Sequence, residues 1–200
     1  MSGLARILAI LAVIVVVVGL VVSGGINTIP TDEEKAKAAW SEVQNQYQRR
    51  ADLVPNLVET VKGYAKQEEK VLTEVVEARA KATSVKIDAS TITDPEKFKQ
   101  FQEAQQGLSG ALGRLIALRE AYPDLKSNQN FLSLQSQLEG TENRIAVARK
   151  DYIEAVRVFN TDLRTFPQSI YKAIFYSSTK PMETFSAAPE NQAAPKVNFN

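Results

Sequence analysis

Histidine and cysteine are both absent from this 200-residue chain. Their absence removes the usual general base of enzyme active sites and the usual ligands of zinc. Without a thiol the chain has no cysteine nucleophile, no disulfide and no cysteine for a lipoprotein modification after the apolar segment. Acidic pairs (Glu68 with Glu69, and Glu139 with Glu142) remain as the candidates for acid–base chemistry. Because such pairs in helical metal sites normally work with histidine, we predict a non-enzymatic protein without catalytic, cofactor-binding or metal-binding residues.

An excess of charge of either sign is also missing. The chain has 24 basic and 23 acidic residues, and Arg6 is the only charged residue before Asp32. The part that follows residue 31 is therefore formally neutral. Binding of nucleic acid requires a basic face, so we predict no nucleic-acid partner. The same balance disfavours strong electrostatic attraction to anionic lipid.

One long stretch lacks polar side chains. No polar side chain occurs from Ile7 to Val22, and Ser23, Gly24 and Gly25 extend the stretch. As a helix, residues 7–25 would span about 28 Å, close to the hydrocarbon thickness of a bilayer. We therefore predict a short flank at residues 1–6, a transmembrane anchor at 7–25 and a linker at 26–31.

A cleaved secretory signal is the alternative interpretation of this stretch. The apolar run is longer than the core of an ordinary signal peptide, and no Ala-x-Ala cleavage site follows it, so a retained single-pass anchor is favoured. Arg6 precedes the run and an acidic cluster, Asp32 to Glu34, follows it, although Lys35 and Lys37 follow as well. We expect the N-terminus in the cytoplasm and the C-terminal domain outside it.

Heptad-like spacing dominates the chain after Thr31. Thr31 and Glu34 form a capping-box pattern that predicts the start of a helix. From Trp40 to Ala78, apolar residues recur at spacings of three and four, which is typical of helices in a bundle or coiled coil. Pro55 interrupts the sequence but not the phase of this pattern, so we predict one long helix with a kink at Pro55, and a break into two helices at Pro55 is the main alternative. Part of this helix would overhang its neighbours, and the overhang could form a stalk or pack against a second copy of the chain.

Two further helices and a short fourth are predicted. Asp94-Pro95-Glu96 is a helix start signal for a segment that ends before Pro123, and a third stripe runs from Phe131 to Phe166. Gly107, Gly110 and Gly113 suggest a close approach of a neighbouring helix. We predict an all-α, antiparallel up-and-down bundle over residues 32–176 and a disordered tail at 177–200.

Four charged residues fall on or near the inward stripes of these helices. They are Arg50 and Glu68 on the first helix and Glu142 and Arg149 on the third. An unpaired buried charge is costly, so we expect pairing between helices that fixes register rather than adding net stability. A polar cavity that binds a ligand is the alternative.

Two motifs resemble the signature of the LemA family. The first is Gln-x-x-Arg-Arg-x-Asp-Leu-x-Pro-Asn-Leu, matched from Gln46 to Leu57. The second is Glu-Asn-x-Ile-x-x-x-Arg-x-x-Tyr, matched from Glu142 to Tyr152, and Phe159-Asn160 follows it. The resemblance covers roughly residues 4–185 and departs from the family at Ile26, where Tyr often stands. It implies a bacterial, single-pass membrane protein with a LemA-like four-helix bundle and no common biochemical activity.

From the residues and the resemblance together we expect a structural or interaction module, a scaffold of the bacterial cell envelope in the inner membrane. Its partners would be the bilayer, through residues 7–25, and proteins of the membrane or envelope, with self-association as a further option. A membrane-shaping or lipid-contacting protein is the main alternative. A secreted bundle and an enzyme are the others.

Overall fold

The computed structural model describes residues 3–85, 88 and 90–186. Seven α-helices lie in these ranges: α1 (Gly3–Gly25), α2 (Thr28–Tyr64), α3 (Glu69–Ser84), α4 (Pro95–Ala117), α5 (Pro123–Lys126), α6 (Gln129–Asp162) and α7 (Gln168–Phe175). The described residues contain no strand, so the prediction of an all-helical bundle is confirmed. The predicted flank at residues 1–6 and tail at 177–200 lie partly outside the described residues.

Helix α1 carries the apolar stretch. Its side chains are described at positions 3, 6–17, 19 and 25, and the large apolar ones from Ile7 to Val17 are 52–65% exposed. Across the described residues, no helix combines the length and the apolar character that a membrane span requires. The transmembrane anchor at residues 7–25 therefore stays a prediction.

Helix α2 begins earlier than the capping pattern suggests. It starts at Thr28, so Pro30 lies in its first turn and Thr31 lies inside the helix. Proline is tolerated there because the first backbone N–H groups of a helix have no intrahelical acceptor. The predicted cap at Thr31 and the linker over 26–31 are wrong for residues 28–31.

The predicted single long helix is in fact two antiparallel helices. Helix α2 continues through Pro55 to Tyr64, and the chain reverses over residues 65–68 before α3. The reversal buries Leu72 and Val75 of α3 together with Leu57 and Val61 of α2. Because the apolar spacing keeps its phase across the reversal, the pattern alone did not reveal it. The predicted overhang and stalk are absent from the described chain, since α3 returns along α2.

The bundle therefore has four main helices. Helix α2 packs most extensively on α6, α3 packs on α4, and α2 packs on α3. Asp94 caps α4, where its side chain accepts from the N–H groups of Glu96 and Lys97. Asn128 caps α6 by accepting from the N–H of Phe131. Both caps satisfy donors that a helix N-terminus leaves free.

Two apolar clusters fill the interior. The lower cluster, on the side of α1, centres on Trp40, whose ring centroid lies 5.2 Å from those of Phe101 and Tyr152. The upper cluster joins residues of α2, α3, α4 and α6 around Leu57, Leu108 and Phe131. A polar layer around Arg50 lies between them.

Residues 177–186 differ from the expected disordered tail. After a turn at residues 177–178 they form an extended strap in which Met182 and Phe185 are buried, and the Phe185 ring packs against Trp40 and Phe98. Asn160 holds the strap: its Nδ2 donates to the carbonyl of Met182 at 2.8 Å, and its Oδ1 accepts from the Met182 N–H at 2.9 Å. The strap is ordered by these hydrogen bonds to its backbone and by two buried anchors, Met182 and Phe185. None of these contacts follows the helix period, so the sequence pattern did not reveal them.

The glycine stripe on α4 does not mark a helix contact. A Cβ atom at Gly107 or Gly113 would meet nothing within 4 Å, and at Gly110 it would meet only the Arg114 side chain. The close approach instead occurs at Gly25, where a Cβ would collide with the ring of Tyr171. Because this glycine ends α1, α1 leaves the bundle directly beside α7.

Candidate functional site

Arg50 is the most buried charged side chain of the described core, with 2% of its surface exposed. Its Nη1 donates to Ser109 Oγ at 2.6 Å and to Glu142 Oε1 at 3.0 Å. Its Nη2 donates to Gln105 twice, to Oε1 at 2.6 Å and to the backbone carbonyl at 3.1 Å. Four bonds therefore join the middle of α2 to α4 and α6.

The remaining contacts of this cluster extend it to α3 and to an aromatic ring. Gln105 Nε2 donates to the carbonyl of Ala82 at 3.4 Å, and the Arg50 guanidinium lies 4.9 Å from the centroid of the Tyr47 ring. Arg50 Nε has no partner among the described residues. The Glu142 side chain is 42% exposed, so the ion pair opens to solvent on one side.

Only two of the four charged residues that were predicted on or near the inward stripes contact each other. Arg50 pairs with Glu142, and each belongs to one of the two sequence motifs. Glu68 lies instead at the reversal between α2 and α3, where its Oε1 accepts from the Tyr122 hydroxyl at 2.9 Å. This hydrogen bond is the main reason why the pKa of Tyr122 is raised.

Arg149 lies toward the strap. Its guanidinium is 4.3 Å from the centroid of the Phe185 ring, a cation–π contact that ties α6 to the strap. It also lies beside Tyr47, where burial raises the pKa of the phenol and the charges of Arg149 and Arg50 oppose that rise. Tyr47 therefore stays protonated at neutral pH and acts as a packing group here.

Among the grooves of the described surface are two open ones that Arg50 does not line. One, of about 530 Å³, is lined by Ala146, Arg149, Lys150, Ile153 and Glu154. The other, of about 500 Å³, is lined by residues of α6, the following turn and the strap, among them Arg157, Asn160 and Thr184. Both follow α6 on the outside of the bundle.

A pair of carboxyl groups lies at the lower end of the bundle. Asp32 is 6% exposed and accepts from Lys35 Nζ at 2.8 Å. Burial, followed by the hydrogen bond and negative charge of Asp32, raises the pKa of Asp162. Asp162 also ends α6, where the helix dipole disfavours a negative charge.

Sequence reasoning missed several of these partners. Ser109 gave no signal, because a lone serine on a helix face is ordinary. Gln105 occupied a polar place on an apolar stripe, which is the available clue that a buried polar partner faces it. Asn160 belonged to the Phe159-Asn160 motif, but its role depends on the strap, whose extended course the sequence did not indicate.

The fold and this site define a class of protein: an all-helical bundle whose interior polar groups join its own helices. A family model described as the LemA family matches residues 39–199. The chain therefore belongs to the LemA family, and the resemblance carried by its two motifs is confirmed.

Three curated relatives show how far the likeness extends. Magnetosome protein MamQ 2 of Paramagnetospirillum magneticum is 27% identical over 179 residues, which cover 82% of this chain and 65% of the relative. Magnetosome protein MamQ of Magnetospirillum gryphiswaldense is 24% identical, over 78% of this chain and 65% of the relative. Protein LemA of Metamycoplasma hominis is 24% identical, over 70% of this chain and 60% of the relative. The chain thus spans less than two thirds of these relatives, and none of the three names denotes an enzyme.

Proposed function

We propose that this LemA-family chain is a single-pass, membrane-anchored, non-enzymatic module of the bacterial envelope that holds other proteins, or further copies of itself, beside the membrane. The observation that carries the proposal is the run of large apolar side chains on α1 that the bundle leaves 52–65% exposed. In water this exposure would be costly, and in a bilayer it is favourable.

The bundle supports a structural rather than a chemical role. Its most buried charge bonds to other parts of the same chain, Arg50 to Gln105, Ser109 and Glu142. Glu68, half-buried at the reversal, bonds to Tyr122. The two open grooves lie on the outer face of α6, where a partner can reach them. The magnetosome relatives carry names that attach them to a cell structure, which fits a module that gathers partners.

The proposed orientation places the N-terminus in the cytoplasm and the bundle outside it, in the inner membrane. Arg6 before the run is the basic residue that supports it. Protease added to intact spheroplasts tests this directly, because the bundle should be cut only if it lies outside. Protection until the membrane is permeabilised would reverse the orientation.

Photo-crosslinking in the cell tests the partner role. A crosslinking amino acid would replace Val76 of α3 or Val147 of α6, which are 51% and 59% exposed, with buried Val43 as the matched control. We expect adducts with membrane or envelope proteins, or with a second copy, from the exposed positions and none from the control. Exposed positions that yield no adduct would contradict the proposal, and so would turnover of a metabolite by the purified chain.

A further inference from the structure

Helix α7 and the turn before it expose four large apolar side chains at one place. Phe166 is 80% exposed, Ile174 is 65%, Phe175 is 52% and Ile170 is 48%. Ile170 and Ile174, four residues apart, form a stripe along α7, and Phe166 lies in the turn that precedes the helix. Tyr171, which lies between Ile174 and Phe175 around the helix, is buried. A folded domain normally covers such a stripe, and a contiguous one marks an interaction surface.

The position of this stripe points to its partner. Tyr171 packs against Gly25 at the end of α1, and the Tyr176 hydroxyl donates to the carbonyl of Ile26 at 2.9 Å. The stripe therefore lies at the end of the bundle from which the apolar α1 leaves. A membrane that held α1 would lie at this end.

The chain segment around α7 is basic, although the chain as a whole is neutral and the start of α2 at the same end carries the acidic cluster Asp32 to Glu34. Between Asp162 and Glu183 the charged residues are Arg164, Lys172 and Lys180, and no acidic residue occurs. Arg164 and Lys180 are exposed, and Lys172 is half-buried. An apolar stripe flanked by basic side chains is the pattern of a helix that lies in the interface of an anionic membrane.

We infer that Phe166, Ile170, Ile174 and Phe175 enter the boundary between headgroups and acyl chains of an anionic lipid surface, and that Arg164, Lys172 and Lys180 bind its headgroups. The inference rests on the proposed anchor, because α1 brings this end of the bundle to the lipid. Two attachments, α1 and the α7 stripe, hold the bundle at a fixed tilt on the membrane. A single tether would leave it free to swing.

Site-directed spin labelling tests this, since the chain has no native cysteine to interfere. Three full-length variants each carry one label: Ile174→Cys on the stripe, Val15→Cys on α1 and Val147→Cys on α6. The three replaced side chains are 59–65% exposed, so the label costs little packing. Each variant is reconstituted in phosphatidylcholine vesicles with about one third phosphatidylglycerol, a negative surface. The measurement is the accessibility of the label to oxygen, which concentrates in lipid, relative to a water-soluble nickel chelate.

We expect the ratio at Ile174→Cys to exceed that at Val147→Cys several-fold and to be smaller than that at Val15→Cys. A ratio at Ile174→Cys equal to that at Val147→Cys overturns the inference, and a high ratio at Val15→Cys then leaves the anchor standing. A low ratio at Val15→Cys with a high one at Ile174→Cys overturns the anchor and leaves the stripe. Dipolar broadening between labels at Ile174→Cys, with both reagents excluded, shows that the stripe docks on a second copy and overturns the lipid assignment.

Discussion

Arg50 is surrounded by hydrogen-bond acceptors from two other helices, α4 and α6. If Arg50 is removed, each of these acceptors loses its donor and needs another one. Gln105 faces it from α4 inside the bundle, whereas Ser109 and Glu142 reach it from positions that are open to solvent. Gln105 depends on Arg50 more than Ser109 or Glu142 does, because solvent can replace the guanidinium at the two exposed partners. The effects of removing the two charges should therefore be unequal.

Substitution of the two partners tests this inequality. Arg50→Met keeps most of the volume but removes the donors, and we expect it to lower the free energy of unfolding by about 3 kcal/mol. Glu142→Gln should cost only about 1 kcal/mol, because its carboxylate is partly hydrated. The measurement is chemical denaturation followed by the fluorescence of Trp40, the single tryptophan. Glu139→Gln, outside the cluster on α6, is the control. Equal costs for Arg50→Met and Glu142→Gln would contradict the account.

Asp162 makes the folding stability of the chain depend on pH, and burial and the neighbouring Asp32 determine the direction of this dependence. Its pKa is raised in the folded chain by burial and by Asp32, so the folded state holds this proton more tightly than the unfolded state. Stability is therefore lost as pH rises from about 4 through the raised pKa.

Asp162→Asn removes this ionisation. We expect the Tm to rise by roughly 1–3 °C at pH 7 and to change little near pH 3, where the carboxyl is protonated in both states. Asp151→Asn, exposed on the same helix, is the control. A rise of the same size at both pH values would show that the effect of Asp162 is not electrostatic.

Pro55 affects how α2 bonds to its neighbour α3, as well as affecting α2 itself. Proline has no N–H to donate to the carbonyl four residues earlier, which is that of Ala51. That carbonyl accepts instead from Arg79 Nε of α3, at 2.8 Å. Pro55 thus leaves an acceptor on α2 that α3 uses, which helps to place the returning helix.

A double-mutant cycle measures this coupling. Arg79→Met should destabilise the wild-type chain by about 1 kcal/mol, because the Ala51 carbonyl loses its donor. In the Pro55→Ala background the alanine N–H can donate to Ala51, so the same change should cost less, with a coupling of at least about 0.5 kcal/mol. Thermal or chemical unfolding of the four chains gives the values. Additive costs would show that the two residues act independently.

The strap is the other element whose attachment is testable. Asn160→Ala removes both side-chain bonds to the Met182 backbone, and we expect it to cost about 2 kcal/mol and to increase amide exchange in residues 182–185. Asn143→Ala, on an exposed position of α6, should change neither. If amide exchange in the strap stayed slow in Asn160→Ala, the buried anchors Met182 and Phe185, together with the hydrogen bonds of the Glu183 backbone to Ile92 and Tyr152, would be sufficient to hold it.

The elements show why part of this fold was open to sequence reasoning and part was not. Heptad spacing predicted the helical class and the buried positions of Trp40, Val43 and Val54, because burial repeats with the helix period. It missed the reversal at residues 65–68, since apolar spacing keeps its phase there and no proline marks the turn. It also missed the strap, because the strap is held by two buried side chains, Met182 and Phe185, and by hydrogen bonds from Asn160, and these contacts produce no periodic pattern in the sequence.

At the scale of the whole molecule the parts fall along one axis. The exposed apolar side chains of α1 and α7 lie at one end, the Arg50 layer lies in the middle, and the reversal between α2 and α3 lies at the other end. The two sequence motifs contact each other in this middle layer, where Arg50 of the first pairs with Glu142 of the second. Such an arrangement suits a rigid body fixed to a membrane at one end and offering its sides to partners.

The central claim is that the mature chain keeps residues 7–25 and that they hold it in the membrane. Alkaline carbonate extraction of membranes, with intact-mass measurement of the chain that is recovered, tests it most directly. We predict that the chain stays in the pellet with a mass that includes residues 7–25, and that Ile14→Arg together with Val16→Arg releases it. A shorter chain, cut near residue 25 and found in the soluble fraction, would contradict the claim.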